Sequence, residues 1–494
     1  MANAPAVLGL IALDRRRGSL QRQLYARLRE HILSGRLAPG TRLPASRVVA
    51  GDLGVARNTV VAAFAQLAQE GYLTARQGSG TRVAELPPEA LLAVGAPAGR
   101  APVAGRPARL ARRGRAWLRA ERPAPDPARR AFQPGFPEVR AFPHDVWARL
   151  VHRHARRPAP GTLGYAHAAG VPELRTAIAR YLASARGVVC EPEQVVVVAG
   201  AQAGLDLVCR LVLDPGDAAW IEEPGYLGAR GALAGAGARL VPVPVDAEGI
   251  VVAAGTARAP RARLVYTTPS HQFPLGATMS LARRLELLDW AASAGAWVVE
   301  DDYDSEYRYA GRPIAAMQGL DASQRVVYLG TFSKTMLPAL RLGYLVLPRG
   351  LVGAAAIAIR HTGHGVSTTL QAALAEFVEL GHFAAHVRRM RGLYARRQAM
   401  VVEALTRRCG DVIAVEGADA GLQLAARLTR PLDDRALAAA LAASGVVAPP
   451  LSGFHLARPR VRGLLLGYAA VPEREIPPAV DVLGRALEAL ARIA

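Results

Sequence analysis

Residues 326–344 read VVYLGTFSKTMLPALRLGY, and they hold Lys334, the one lysine in 494 residues. Every other one of the 61 basic residues is an arginine. A guanidinium stays protonated and forms no imine with an aldehyde, so a chain that keeps a single ε-amine points to a need for that amine. The apolar run Val326 to Leu329 has the composition of a buried strand, and Gly330, Thr331 and Ser333 follow it directly before Lys334. Arg341 comes seven residues later. Small hydroxyls, an amine and a guanidinium on one turn suit a phosphorylated aldehyde. Thr331, Ser333 and Arg341 would take the phosphate and Lys334 the carbonyl.

Upstream by 33 residues lies Asp301, at the end of another apolar run in AWVVEDDYDSEYRY. Ligand groups in open α/β sheets gather at the carboxyl ends of strands, which lets Asp301 and Lys334 face one ligand. A carboxylate there keeps a pyridine nitrogen protonated, and Tyr303 is placed to reach a ring hydroxyl. From Phe132 onward helices and apolar runs alternate, the pattern of a mostly parallel sheet covered on both faces. The expected strands are Val195 to Val198, Ala218 to Ile221, Leu264 to Tyr266, Trp297 to Val299 and Val326 to Leu329. After the first, Gly200, Ala201 and Gln202 open a helix whose free N–H groups suit a phosphate. After the second, EEPGY offers Tyr226 as a ring to stack on the ligand. The third leads to TPSHQFPLG.

The N-terminal part has a different signature. Leu20, Leu24, Leu28 and Ile32 recur at steps of four, as in an amphipathic helix. Ser46 to Leu53 and Arg57 to Gln69 then read as two short helices around Gly54, with Val60, Phe64 and Leu67 inward, followed by a hairpin across QGSG. This is a helix-turn-helix with a wing, whose second helix enters the major groove. Residues 1–130 carry 22 arginines against 8 acidic residues, so most of the net charge of +21 lies there, and a polyanionic partner follows. Between about Leu86 and Arg130 eight prolines and many arginines give an extended linker, within which Trp117 and Leu118 hint at a docking point.

The three cysteines are widely spaced and include no CxxC pair, which excludes a disulfide framework and a zinc site. The basic cluster Arg15 to Arg17 follows the first apolar run instead of preceding it, unlike a signal peptide. No uncharged apolar stretch approaches the ~20 residues that span a bilayer. A cytoplasmic protein is expected.

EDDYDSEYRY followed by YLGTFSKTMLPALRLGY resembles the effector domain of the MocR subfamily of GntR regulators. Leu43 to Leu73 follows the GntR pattern LPxSRxxAxxLGVxRxTVxxAxxxLxxEGYL, with LPASR where LPSSR is more usual. The resemblance covers about 20–83 and 132–490. It implies an N-terminal winged helix-turn-helix domain, residues 15–85. A linker, 86–131, joins it to a large α/β domain of the fold type I aminotransferase type with a small C-terminal α+β subdomain, 132–494. It further implies pyridoxal 5′-phosphate (PLP) held as an aldimine of Lys334, with Asp301 on the ring nitrogen. By resemblance Arg47, Arg57, Asn58 and Thr59 face DNA, with Gly78 and Gly80 at the wing tip. TPSHQFPLG resembles the aminotransferase NPxNPTG loop without its asparagine, and His271 or Gln272 stands in. TLGYAHAAGVPELR resembles the segment by which one subunit of a homodimer reaches its neighbour's phosphate, which makes Tyr165 a cofactor residue. RPRVRGLLLGYA resembles the segment carrying the arginine that takes an effector carboxylate, which singles out Arg462, with Arg460 as the alternative.

The reading is a regulator that binds operator DNA and responds to PLP, an amine or an amino acid. An alternative is an active aminotransferase with an appended DNA-binding domain. A third is a cofactor-free dimerisation scaffold.

Overall fold

A computed structural model describes residues 11–16, 18–76, 80–85, 109–119, 131–164, 167–311, 314–363 and 365–492. The chain forms two compact units, 1–108 and 109–494.

In the first unit, helices α1 (Leu20–Leu33), α2 (Ser46–Asp52) and α3 (Arg57–Gln69) precede strands β1 (Leu73–Arg76) and β2 (Gly80–Val83). Leu24, Leu28 and Ile32 of α1 meet Val60, Phe64 and Leu67 of α3 in one core, as the spacing predicts. The two strands pair antiparallel, with Leu73 opposite Val83. Arg47, Arg57 and Asn58 are exposed, and Thr59 is half-buried. The face expected to read DNA is therefore open to solvent, with Arg57 Nε 3.5 Å from Ser46 Oγ. Gly80 opens β2 at φ 80°, while Gly78 lies outside the described residues.

The second unit begins with helix α4 (Arg112–Arg119), inside the stretch the composition assigned to an extended linker. The linker expectation is corrected there. Eight residues with one large aromatic anchor carry too little periodic pattern to announce a helix. Next come α5 (His144–Arg156), α6 (Pro172–Arg186), β3 (Val195–Val198), α7 (Ala201–Val212), β4 (Ala218–Glu223), α8 (Leu227–Ala236) and β5 (Arg239–Asp246). They are followed by β6 (Gly249–Ile250), α9 (Val252–Arg258), β7 (Leu264–Thr267), α10 (Leu281–Ala294), β8 (Trp297–Asp302), β9 (Val326–Thr331) and β10 (Gly343–Val346). The chain closes with α11 (Arg349–Thr362), α12 (Thr368–Glu379), α13 (His382–Cys409), β11 (Ile413–Glu416), β12 (Gln423–Leu428), α14 (Asp434–Ala443), β13 (Gly463–Gly467) and α15 (Ile476–Ala491).

Eight strands form one sheet in the order β3-β10-β9-β8-β7-β4-β5-β6. Strands β9, β8, β7, β4 and β5 run parallel, and β10 lies antiparallel between β3 and β9. All five expected strands are present. Strands β5, β6 and β10 are additions: β5 carries Pro242 and Pro244, which donate no ladder bond and are tolerated near a sheet edge. Alternation places Val195 and Val197 in one core and Val196 and Val198 in another, so helices cover both faces. A second sheet, β11-β12-β13, is antiparallel and forms the small C-terminal α+β part with α13, α14 and α15.

Candidate functional site

The parallel strands end together, and their carboxyl ends bring the candidate residues to one edge of the sheet. Strand β8 delivers Asp301, which is 5% exposed. Its Oδ2 accepts a hydrogen bond from Tyr266 Oη of β7 at 2.6 Å, and its Oδ1 is buried with no protein partner. Burial pushes the Asp301 carboxyl up to about 7, against the Tyr266 hydrogen bond and the charge of Lys334, which both lower it. A buried acceptor without a donor is costly, so this oxygen fits the N–H of a ring cation.

Lys334 follows β9 and donates from Nζ to the Gly135 carbonyl at 2.6 Å, across 199 residues of sequence. Thr331 Oγ1 accepts from Ser333 N at 3.2 Å and shapes the turn before the lysine. Arg341 ends the short 3-10 turn Pro338–Leu340 beyond the lysine, at φ 52° and exposed. Gly200 sits at φ 88° before α7, a conformation that disfavours other residues, and turns the chain so that Ala201 and Gln202 lead the helix. Gln202 Nε2 donates to Gly228 O at 2.9 Å. Tyr226 caps α8, and its ring lies nearly parallel to that of Tyr266 at 27°, 6.5 Å between centroids.

The TPSHQFPLG loop divides its two candidates. Gln272 Nε2 donates to Glu222 Oε2, Pro224 O and Phe273 O, so its amide is committed to holding the loop. His271 instead meets Tyr303 Oη at 3.1 Å through Nδ1, which also faces Asp304 Oδ2 at 3.1 Å, while Nε2 is 3.4 Å from Gly417 O. Burial pulls the imidazole pKa down, but the charge and hydrogen bond of Asp304 outweigh it and raise it overall. His271 is therefore the member of the pair that joins Tyr303.

Sequence reading missed several buried carboxylates, Glu222 and Asp302 among them. Glu222 accepts from Thr267 Oγ1, Thr268 N and Oγ1, and Gln272 Nε2, and burial raises its pKa. Asp302 takes Arg186 Nε at 2.8 Å and Tyr328 Oη at 2.6 Å. Their signal was a doubled acidic residue at a strand end, EE closing β4 and DD closing β8, where only Asp301 had been singled out.

The structure does not bring Arg462 to this cluster. The Gly467 end of β13 lies against Gln133 and Pro134, next to the Gly135 that Lys334 reaches. Arg462 precedes the other end of the strand, about 16 Å away at ~3.3 Å per residue. It is exposed, its Nη1 is 3.4 Å from Leu432 O, and Arg460 is exposed too. Five residues of strand separate the motif's arginine from the site, which a linear motif cannot show. Tyr165 lies outside the described residues.

Fold and strand-end chemistry together define a DNA-binding regulator joined to an aminotransferase-type domain. Residues 20–83 match the bacterial regulatory proteins of the gntR family, and residues 141–483 match aminotransferase class I and II. The chain belongs to the MocR subfamily of GntR transcription regulators. It is 48% identical over 95% of its length to the probable rhizopine catabolism regulatory protein MocR of Rhizobium meliloti, covering 94% of that protein. It is 36% identical to the HTH-type transcriptional regulator TauR of Rhodobacter capsulatus, over 95% of this chain and 97% of that one. The Pyrococcus horikoshii kynurenine aminotransferase, crystallised with PMP, superposes with TM-score 0.68 at 27% identity, covering 73% of this chain and 90% of that one. No helix among the described residues is long and apolar enough to cross a membrane.

Proposed function

We propose that the second unit binds PLP at Lys334 and that a small amine acting there alters operator binding by the first unit. The observation that supports this reading is the pairing of a lone lysine with a buried, unpartnered carboxylate oxygen at adjacent strand ends. PLP supplies an aldehyde that condenses with amines and a pyridinium ring that withdraws electrons. Asp301 would hold the ring N–H, Tyr303 with His271 the ring hydroxyl, and Tyr226 one ring face. Thr331, Ser333, Arg341 and the α7 N-terminus with Ala201 and Gln202 would hold the phosphate. Lys334 holds its proton against Gly135 O and releases that carbonyl when its amine is engaged elsewhere. Tyr165 from a partner subunit of a homodimer completes the phosphate site in this proposal.

Because Arg462 stands away from the cluster, the effector class is a small amine without need of that arginine. Arg462→Ala should leave the effector concentration for half-response within about twofold of wild type, as for an ordinary surface substitution. A loss of response would return a carboxylate-reading role to it.

The test is a titration of purified protein with amines and amino acids, following the visible spectrum and operator affinity together. A spectral change with a parallel change in DNA binding supports the reading. Steady turnover of amino acids with DNA binding unchanged overturns it in favour of an enzyme. An ineffective ligand is one that binds both conformations equally.

For the first unit, Arg57 at the start of α3 would pair with a base edge, with Arg47, Asn58, Thr59, Gly78 and Gly80 beside it. Arg57→Ala should weaken operator binding by about 1–3 kcal/mol and relax preference at one base position. Competition binding across single-base operator variants measures both. Unchanged preference removes Arg57 from the readout.

A further inference from the structure

Helix α8 is gripped at three places along ten residues. At its start, just after Tyr226, Gly228 O accepts from Gln202 Nε2. One turn on, Arg230 Nη2 donates to Phe454 O at 2.9 Å, and Nη1 lies 3.4 Å from His455 O. The neighbouring Gly225 N also donates to Phe454 O, and Glu223 accepts from Leu456 N and Ala457 N. The third grip comes from α4. Trp117 Nε1 donates to Gly231 O, the residue after Arg230, at 3.2 Å, and a Cβ at Gly235 would lie 2.5 Å from Trp117 Nε1.

Only glycine at 235 lets the indole approach so closely. An isolated eight-residue helix is unstable in water, so α4 is helical because it docks. Docking leaves much of its apolar surface in solvent: Trp117 is 49% exposed, and Leu110 and Leu118 are 44% and 64% exposed.

We propose that the Gly231–Gly235 face of α8 is a docking site for the linker helix α4, and that occupation of the Lys334 site tightens this docking through α8. The coupling rests on the functional reading above; the docking does not. A ligand held between Tyr226 and Lys334 restrains the start of the helix whose far half seats Trp117. Docked, α4 belongs to the second unit; released, it does not. Both sites then bias one element with two arrangements, the physical requirement for coupling.

The experiment is limited trypsin digestion of the full-length protein, with cleavage after Arg113 and Arg115 quantified by mass spectrometry. Trp117→Ala and Gly235→Leu remove the contact from opposite sides. Each should accelerate that cleavage at least tenfold while cleavage within α10 stays at the wild-type rate. Wild-type rates in both variants overturn the docking. Adding PLP and a small amine to wild type should slow the same cleavage at least threefold, with no effect on Trp117→Ala. Cofactor occupancy is read in each sample from absorbance. An occupied protein whose rate is unchanged or raised overturns the coupling. A protein that takes up no cofactor overturns the functional reading and the coupling with it, and the two variants still decide the docking.

Discussion

Replacing Lys334 by alanine is expected to abolish the borohydride-reducible adduct between the chain and PLP and to remove the response of operator binding to amines. The effect is complete, because no second lysine exists to take over the amine. Arginine at this position cannot rescue it, since a guanidinium is not nucleophilic at neutral pH. The substitution also frees Gly135 O, whose donor at 2.6 Å is lost, at a cost of about 1–3 kcal/mol if water does not replace it. The first unit has its own core of Leu24, Leu28, Val60, Phe64 and Leu67, so operator binding without effector should persist. Intact-mass analysis after reduction, beside a DNA-binding titration, checks both halves. A surviving covalent adduct would falsify the assignment of Lys334.

Asp301→Asn is expected to have the second largest effect, in two opposite directions. Cofactor affinity should fall about 10- to 150-fold, the equivalent of a charge-assisted hydrogen bond of about 1.5–3 kcal/mol. Stability of the cofactor-free protein should move the other way as pH rises. The Asp301 carboxyl is raised from 3.8 to about 7 by burial, opposed by Tyr266 and Lys334. The unfolded chain releases this proton near pH 4 and the folded chain near pH 7. The group therefore costs stability increasingly between those values, by about 4 kcal/mol at most. Asparagine does not titrate, so Asp301→Asn should gain on wild type as pH rises from 4 to 7. Glu222, Glu300 and Glu306 are also raised by burial, which is why the difference between the two proteins is the informative quantity. Denaturant unfolding at pH 5 and pH 8 measures it. An equal difference at both pH values would show that Asp301 is ionised throughout.

Much of the site was legible because its signals are local. Asp301 and Lys334 each close an apolar run, and a strand end is where an α/β sheet presents ligand groups. The same reasoning could not separate His271 from Gln272. The two are adjacent, and only the packing of Glu222 and Pro224 around Gln272 commits its amide to the loop. The motif that singled out Arg462 failed for a related reason. It fixes the order of residues along β13, whereas distance from Lys334 depends on which end of that strand meets Phe132 to Gly135.

By itself the sequence determined the two kinds of domain, the three helices of the first unit, five strands of the main sheet and the places of Asp301 and Lys334 at two strand ends. Those follow from hydrophobic period and from chemistry that a single residue type carries. Tertiary structure decided what depends on contacts between distant segments. It brought Gly135 to Lys334 across 199 residues, set Arg462 at the far end of its strand, and seated Trp117 on α8 114 residues away. Packing chooses such partners through shape and unsatisfied hydrogen bonds, neither of which is written into the spacing of a chain.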